Sequence, residues 1–127
     1  LQERVELIEC DLVEGVPAEL AQSFSVLVSN PPYIPTSVLE QEVPAEVKGF
    51  EPELALDGGE DGLDVYRRLL EAAPHMLLPG GMLCVELYEG HLDKAAHLAE
   101  EQGVWESVEV KEDLTHRPRI LVARLAK

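Results

Sequence analysis

The chain predicts a three-layer α/β fold built on a mostly parallel sheet. Two observations carry this reading. Short apolar runs rich in β-branched residues alternate with longer stretches whose apolar residues recur at helical spacing. The resulting order is β-α-β-loop-α-β-α-β-β, in which only the last two strands lack an intervening helix. Those two are expected to close the sheet as an antiparallel pair, because a parallel crossover needs a dozen or more residues.

Residues 5–8, Val-Glu-Leu-Ile, read as a short strand ending near Cys10-Asp11. Residues 17–21 read as a short helix opened by Pro17. Residues 24–29, Phe-Ser-Val-Leu-Val-Ser, are mostly apolar and run into Asn-Pro-Pro, as a buried parallel strand would. Residues 34–61 carry prolines, glycines and many acids and read as a long loop; such loops in compact domains are usually functional or disordered. Asp61 can cap a helix over 62–78, in which Pro74 predicts a kink or break near Ala73. Pro79-Gly80-Gly81 reads as a turn before a strand over 82–87. Residues 91–102 form an amphipathic helix with Gly103 as its C-cap. Residues 105–112 alternate as a half-exposed strand does, and 119–125 form the last strand.

With 127 residues, of which 46% are hydrophobic, the chain suffices for one domain that buries roughly two-thirds of its unfolded surface. The net charge is −15, and Arg4 and Lys48 are the only cations before Arg67. This excludes the basic footprint that phosphate neutralisation leaves, so nucleic acid is not an expected partner. The acidity reads as a solvated surface. Cys10 and Cys84 lie in apolar strand-like segments and are expected to be buried, reduced and structural. No Cys/His spacing suggests a metal site, and the four scattered histidines read as surface or structural residues. No apolar run nears 18 residues and no signal peptide is visible, so the expected location is the cytoplasm, with no membrane partner. The opening on Leu1, followed by charged residues and a strand, suggests a fragment of a longer protein.

The chemistry centres on Asn30-Pro31-Pro32-Tyr33, directly after a strand. In open α/β sheets, ligands sit beyond the carboxyl ends of strands. The Asn30 carboxamide oxygen can accept one N–H of a planar –NH₂ group. The carbonyl between the prolines has no local donor competing for it and can accept the other. Tyr33 offers a flat wall. Two acceptors on one –NH₂ aim its nitrogen at an incoming methyl carbon, a gain made mostly of positioning. Taken alone, the tetrapeptide is also what a stiff turn after a strand looks like.

The flanks resemble the HemK/PrmC family: Ser29 through Pro35, then Phe50-Glu51-Pro52 with Ala55-Leu56, Gly58 through Leu63 with Tyr66-Arg67, Leu78 through Gly81 before Glu86, and Asp113 before Arg117-Pro118-Arg119. The likeness spans essentially the whole chain. It implies a class I methyltransferase (Rossmann-like) fold lacking its first two strands, with residues 1–127 as the C-terminal portion of an S-adenosylmethionine-dependent catalytic domain. It implies methyl transfer to the glutamine amide of the Gly-Gly-Gln motif in peptide-chain release factors. By resemblance Asn30, Pro31, Pro32 and Tyr33 hold the glutamine amide and are the catalytic residues. Asn30, Asp11 and Leu12 face the cofactor. Glu51 orders the loop over the substrate. A helix cap or a solvated acid remains the plain alternative for Asp11 and Glu51. Glu86 departs from the pattern, since Leu87-Tyr88 follows where the family has an apolar residue and glycine. Arg117 and Arg119 decorate a turn and strand, or meet a partner.

The glycine-rich cofactor loop and the acid after the second strand are absent. The chain alone is therefore expected to bind S-adenosylmethionine poorly and to be inactive. Residues 5–8 have no proper neighbour beside 24–29, which leaves an edge, a direct re-pairing, or a cover by a second copy. Two other readings stand: an adenine methyltransferase acting on DNA or RNA, and a non-catalytic oligomerising module.

Overall fold

The computed structural model describes residues 4–31 and 62–127. It holds β1 (Phe24–Ser29), α1 (Asp64–Met76), β2 (Leu77–Glu86), α2 (Leu92–Glu101), β3 (Trp105–Glu112) and β4 (Pro118–Leu125). Single 3-10 turns occupy Ala18–Leu20 and Glu89–His91. The sheet order is β1-β2-β4-β3. β1 and β2 are parallel, with Ser29 level with Val85. β4 runs antiparallel to both β2 and β3, as the short link between the last two strands requires.

Residues on alternate positions separate the two sheet faces. Leu83, Val85, Leu121, Ala123 and Leu125 point to one face and are buried with Tyr66, Leu69, Leu70 and Ala73 of α1 and Leu92, Ala95 and Ala99 of α2. Among the described residues both helices therefore cover the same face. On the other face Val26 is 49% and Val28 74% exposed. The 24–29 run is thus a parallel strand, as expected, but it lies at the sheet edge and is only half-buried, on one face.

The strand expected at 5–8 does not form. Val5 is 59% and Leu7 94% exposed, and the segment joins no ladder. The reason is the missing neighbour: an extended segment gains a sheet position only by pairing its backbone groups. The segment instead borders a cavity of about 550 Å³ shared with Leu12, Val16, Leu20 and Phe24. Cys10 goes with it and is exposed, while Cys84 on β2 is half-buried; neither is in a disulfide. The expected helix at 17–21 is one 3-10 turn.

Pro79-Gly80-Gly81 lies inside β2 rather than before it. Between the Phe24/Leu77 and Val26/Met82 pairs β1 advances two residues and β2 five, so the motif is taken up as a bulge. Gly80 has φ +84°, and a Cβ on Gly81 would stand 2.8 Å from the Leu78 carbonyl oxygen. Gly103 has φ +69° and closes α2 as expected.

Pro74 does not break α1, which runs on to Met76. Proline at 74 removes the N–H that would bond the Leu70 carbonyl. The Gln102 side-chain amide donates to that carbonyl at 2.9 Å and accepts from the Trp105 indole N–H at 2.7 Å. Gln102→Leu is expected to orphan both groups and cost about 1–3 kcal/mol; a urea midpoint unchanged from the parent would contradict this. The Asp61 cap and the 34–61 loop lie outside the described residues, and Leu63 stands at the helix start. Buried Tyr66 donates its hydroxyl to the Ala95 carbonyl at 2.6 Å, tying α1 to α2, and burial pushes its phenol well above the usual range.

Candidate functional site

The parallel β1–β2 pair delivers Asn30 and Glu86 to one edge, the carboxyl end of both strands. There a groove of about 190 Å³ is lined by Val28, Ser29, Asn30, Cys84, Val85, Glu86 and Ile120. The Asn30 side chain is exposed toward solvent and Pro31 is buried behind it. A fixed, buried residue after an exposed carboxamide is what a positioning role requires. Pro32, Tyr33 and Glu51 lie outside the described residues. Glu86 ends β2 beside Ile120. Tyr88, where glycine was expected, precedes a 3-10 turn and packs against His91 with ring centroids 5.3 Å apart.

Asp11 and Leu12 stand elsewhere. Leu12 shares a cavity with Phe24, which opens β1, whereas Asn30 follows its far end. Six strand residues put these ends about 20 Å apart. The Asp11 carboxylate lies 2.9 Å from the Arg68 guanidinium, which also stands 3.9 Å from Glu14. Leu12 takes a left-handed φ of +54°, and the Asp11 carbonyl accepts the Glu14 N–H at 3.1 Å. Leu12, Arg68 and Glu71 border a further cavity of about 270 Å³. The described residues therefore do not gather Asp11, Leu12 and Asn30 around one cofactor. The groove at Asn30 is also below the roughly 300–1,000 Å³ of pockets that enclose drug-sized ligands.

The sequence reading missed the 113–117 turn as part of this edge. β4 runs antiparallel to β2, with Ile120 level with Glu86, so the turn before Pro118 emerges beside the groove. The Leu87 N–H donates to the Arg119 carbonyl at 2.8 Å. Asp113 cages the turn. Its Oδ1 accepts the Thr115 hydroxyl at 2.6 Å and the backbone N–H groups of Thr115 at 2.8 Å and Arg117 at 3.2 Å. Its Oδ2 stands 3.3 Å from Arg119 Nε. The signal available in sequence was an acid two residues before a threonine, between two strand patterns.

The Thr115 hydroxyl, opposed next by desolvation, and then the backbone donors of Arg117 and Thr115 and the Arg119 charge, hold the Asp113 carboxyl at about 2. A folded pKa below the unfolded value of about 3.9 means the carboxylate favours the turn. That contribution is complete above about pH 4 and is lost as pH falls toward 2. A carboxyl NMR titration is expected to place Asp113 near 2, with the Thr115 amide shift following it; a midpoint near 4 would contradict the cage.

Among the described residues no group of His, Cys, Asp and Glu is placed to hold a metal, and no helix is long and apolar enough to cross a membrane.

A mixed sheet with Asn-Pro-Pro after a parallel strand matches part of a class I methyltransferase-type fold. The solved Mtq2–Trm112 complex of E. cuniculi, described as responsible for methylating the eRF1 translation termination factor, shows the same fold at a TM-score of 0.57 and 23% identity, over 94% of this chain and 60% of that one. No protein-family model matches the chain. In sequence it is 37% identical over 126 residues to the release factor glutamine methyltransferase of Clostridium acetobutylicum, covering 97% of this chain and 42% of that protein. It is 52% identical over 90 residues to that of Geobacter sulfurreducens, covering 71% of this chain and 30% of that protein. For the Moorella thermoacetica protein the values are 40% over 123 residues, 97% and 42%. By sequence the chain is similar to release factor glutamine methyltransferases over nearly its whole length, and it spans about two-fifths of the length of the first of these relatives.

Proposed function

We propose that the protein carrying this chain methylates the side-chain amide nitrogen of the glutamine in the Gly-Gly-Gln motif of peptide-chain release factors. The observation that carries the reading is the exposed Asn30 carboxamide at the carboxyl end of β1, on the groove lined by Ser29, Val85 and Glu86. Its relatives' shared name supports the substrate class.

An amide nitrogen is a poor nucleophile because its lone pair is delocalised into the carbonyl. Asn30 Oδ1 accepts one N–H of the glutamine amide, and the Pro31 carbonyl accepts the other. With both hydrogens held, the nitrogen has one orientation left to present. Pro32 stiffens the acceptor, and Tyr33 flanks the amide plane. Glu51 orders the segment above the substrate. S-adenosylmethionine supplies the methyl group through its sulfonium. When bound, it would pass that methyl to the amide nitrogen and leave as the neutral thioether, and the displaced amide proton would go to solvent.

Asp11 and Leu12 stand at the far end of β1 from Asn30, so this reading does not assign them to the cofactor. The chain alone is inactive in this reading. Titration calorimetry is expected to show no micromolar S-adenosylmethionine binding to the 127-residue polypeptide; binding at that strength would contradict it.

The test of the function is methyl transfer by the full-length protein to intact release factor and to duplex DNA, side by side. Transfer to release factor alone is expected. Transfer to DNA alone would establish the adenine-methyltransferase reading instead, which the net charge of −15 disfavours.

A further inference from the structure

We propose that the 113–117 turn is a docking element for the protein substrate, with Leu114 as its apolar contact and Arg117 beside it. The inference rests on the methyltransferase reading above and adds a recognition surface to it.

The first support is position. The turn emerges at the sheet edge that carries Asn30, because Ile120 is level with Glu86 and Ser29 with Val85. β4 lies two strands from β1, a lateral offset of about 10 Å. A protein–protein contact covers about 800 Å² on each partner, a disc of about 16 Å radius. A folded protein that places a glutamine in the Asn30 groove therefore meets the turn within its footprint. A short peptide need not.

The second support is chemistry. Leu114 is 100% exposed at the tip of the turn. A single exposed leucine is ordinary, but this one sits on a backbone held from both sides. Asp113 bonds the turn through Thr115 and Arg117, the Asp113 N–H donates to the Arg117 carbonyl at 2.8 Å, and the His116 N–H donates to the Asp113 carbonyl at 3.0 Å. A side chain presented on a pinned turn loses little further freedom on binding, so its burial counts more fully toward affinity. Arg117 stands 3.9 Å from Glu89 with its side chain 64% exposed, leaving donors for an acidic partner group. The complementary surface is an apolar dimple with a carboxylate beside it, next to the target glutamine.

The test compares two acceptors in the full-length protein: intact release factor and a short peptide containing Gly-Gly-Gln. Leu114→Ser is expected to lower kcat/KM toward intact release factor about ten-fold, through KM, as loss of a buried apolar contact does. The peptide value is expected to change less than two-fold, and the melting temperature not at all, because the residue touches nothing in the fold. An unchanged value for release factor, or an equal fall for both acceptors, would overturn the proposal while leaving the proposed function standing. If the unsubstituted protein methylates neither acceptor, the function reading fails and this one with it.

Discussion

Replacing Asn30 with alanine is expected to reduce methyl transfer by the full-length protein by about two to three orders of magnitude, the usual cost of removing one preorganised hydrogen-bonding group from a reacting centre. The fall should appear in kcat more than in KM. In the proposed arrangement a release factor would bind through a wide surface, whereas the Asn30 carboxamide would meet the reacting amide alone among substrate groups. The fold should be indifferent to the change. Asn30 is exposed and follows the end of β1, so stability should move by no more than about 0.5 kcal/mol. Methyl incorporation under single-turnover conditions, with circular dichroism as the control, checks both halves. A variant with near-parental rates would remove the motif from the chemistry.

The largest expected effect on stability lies one strand away. Leu83 of β2 is fully buried between the helices and the neighbouring strands, whereas Val28 of β1 points from the opposite face and is 74% exposed. Leu83→Ala is expected to cost about 2–5 kcal/mol, the sum of lost transfer energy and an unfilled cavity. That is a large share of the roughly 5–15 kcal/mol total stability of a small domain. Val28→Thr should stay within about 0.5 kcal/mol. Denaturant midpoints on the two variants test whether the sheet is covered on one face only. Equal losses would mean that the Val28 face is also packed.

Much of this architecture was legible in the residues. The helical spacing of Leu63, Tyr66, Leu69, Leu70 and Ala73 located the face of α1 that is buried. The alternation of Val108 and Val110 with charges located β3, and the short link to β4 made the pair antiparallel. The apolar run before Asn30 predicts that it follows a parallel strand, and that is where it stands. What was not legible depended on partners distant in sequence. Residues 5–8 have the composition of a strand, but a strand exists only in a ladder, and composition cannot report an absent neighbour. Pro74 threatens a helix locally; Gln102, 28 positions later by subtraction, supplies the donor that keeps Leu70 satisfied. Gly80 and Gly81 carry the composition of a turn, and only the parallel register with β1 turns them into a bulge inside β2.

The site divides in the same way. The proposed acceptor half of the chemistry is local to four consecutive residues, so it can be proposed from sequence alone. The recognition edge is assembled from β1, β2 and the 113–117 turn, and its membership follows from strand order rather than from any motif. Asp113 and Arg117 could be quoted as part of a family pattern, yet their nearness to Asn30 is a property of the antiparallel β2–β4 pairing.

The central claim is that Asn30 and its neighbours orient a planar amide nitrogen for methylation. Tandem mass spectrometry of intact release factor, after incubation with the full-length protein and S-adenosylmethionine, tests it most directly because it locates the added methyl group. The account predicts a single methyl group on the side-chain amide of the glutamine in Gly-Gly-Gln. A methyl group on a lysine, an arginine or a chain terminus, with that glutamine unmodified, would contradict it.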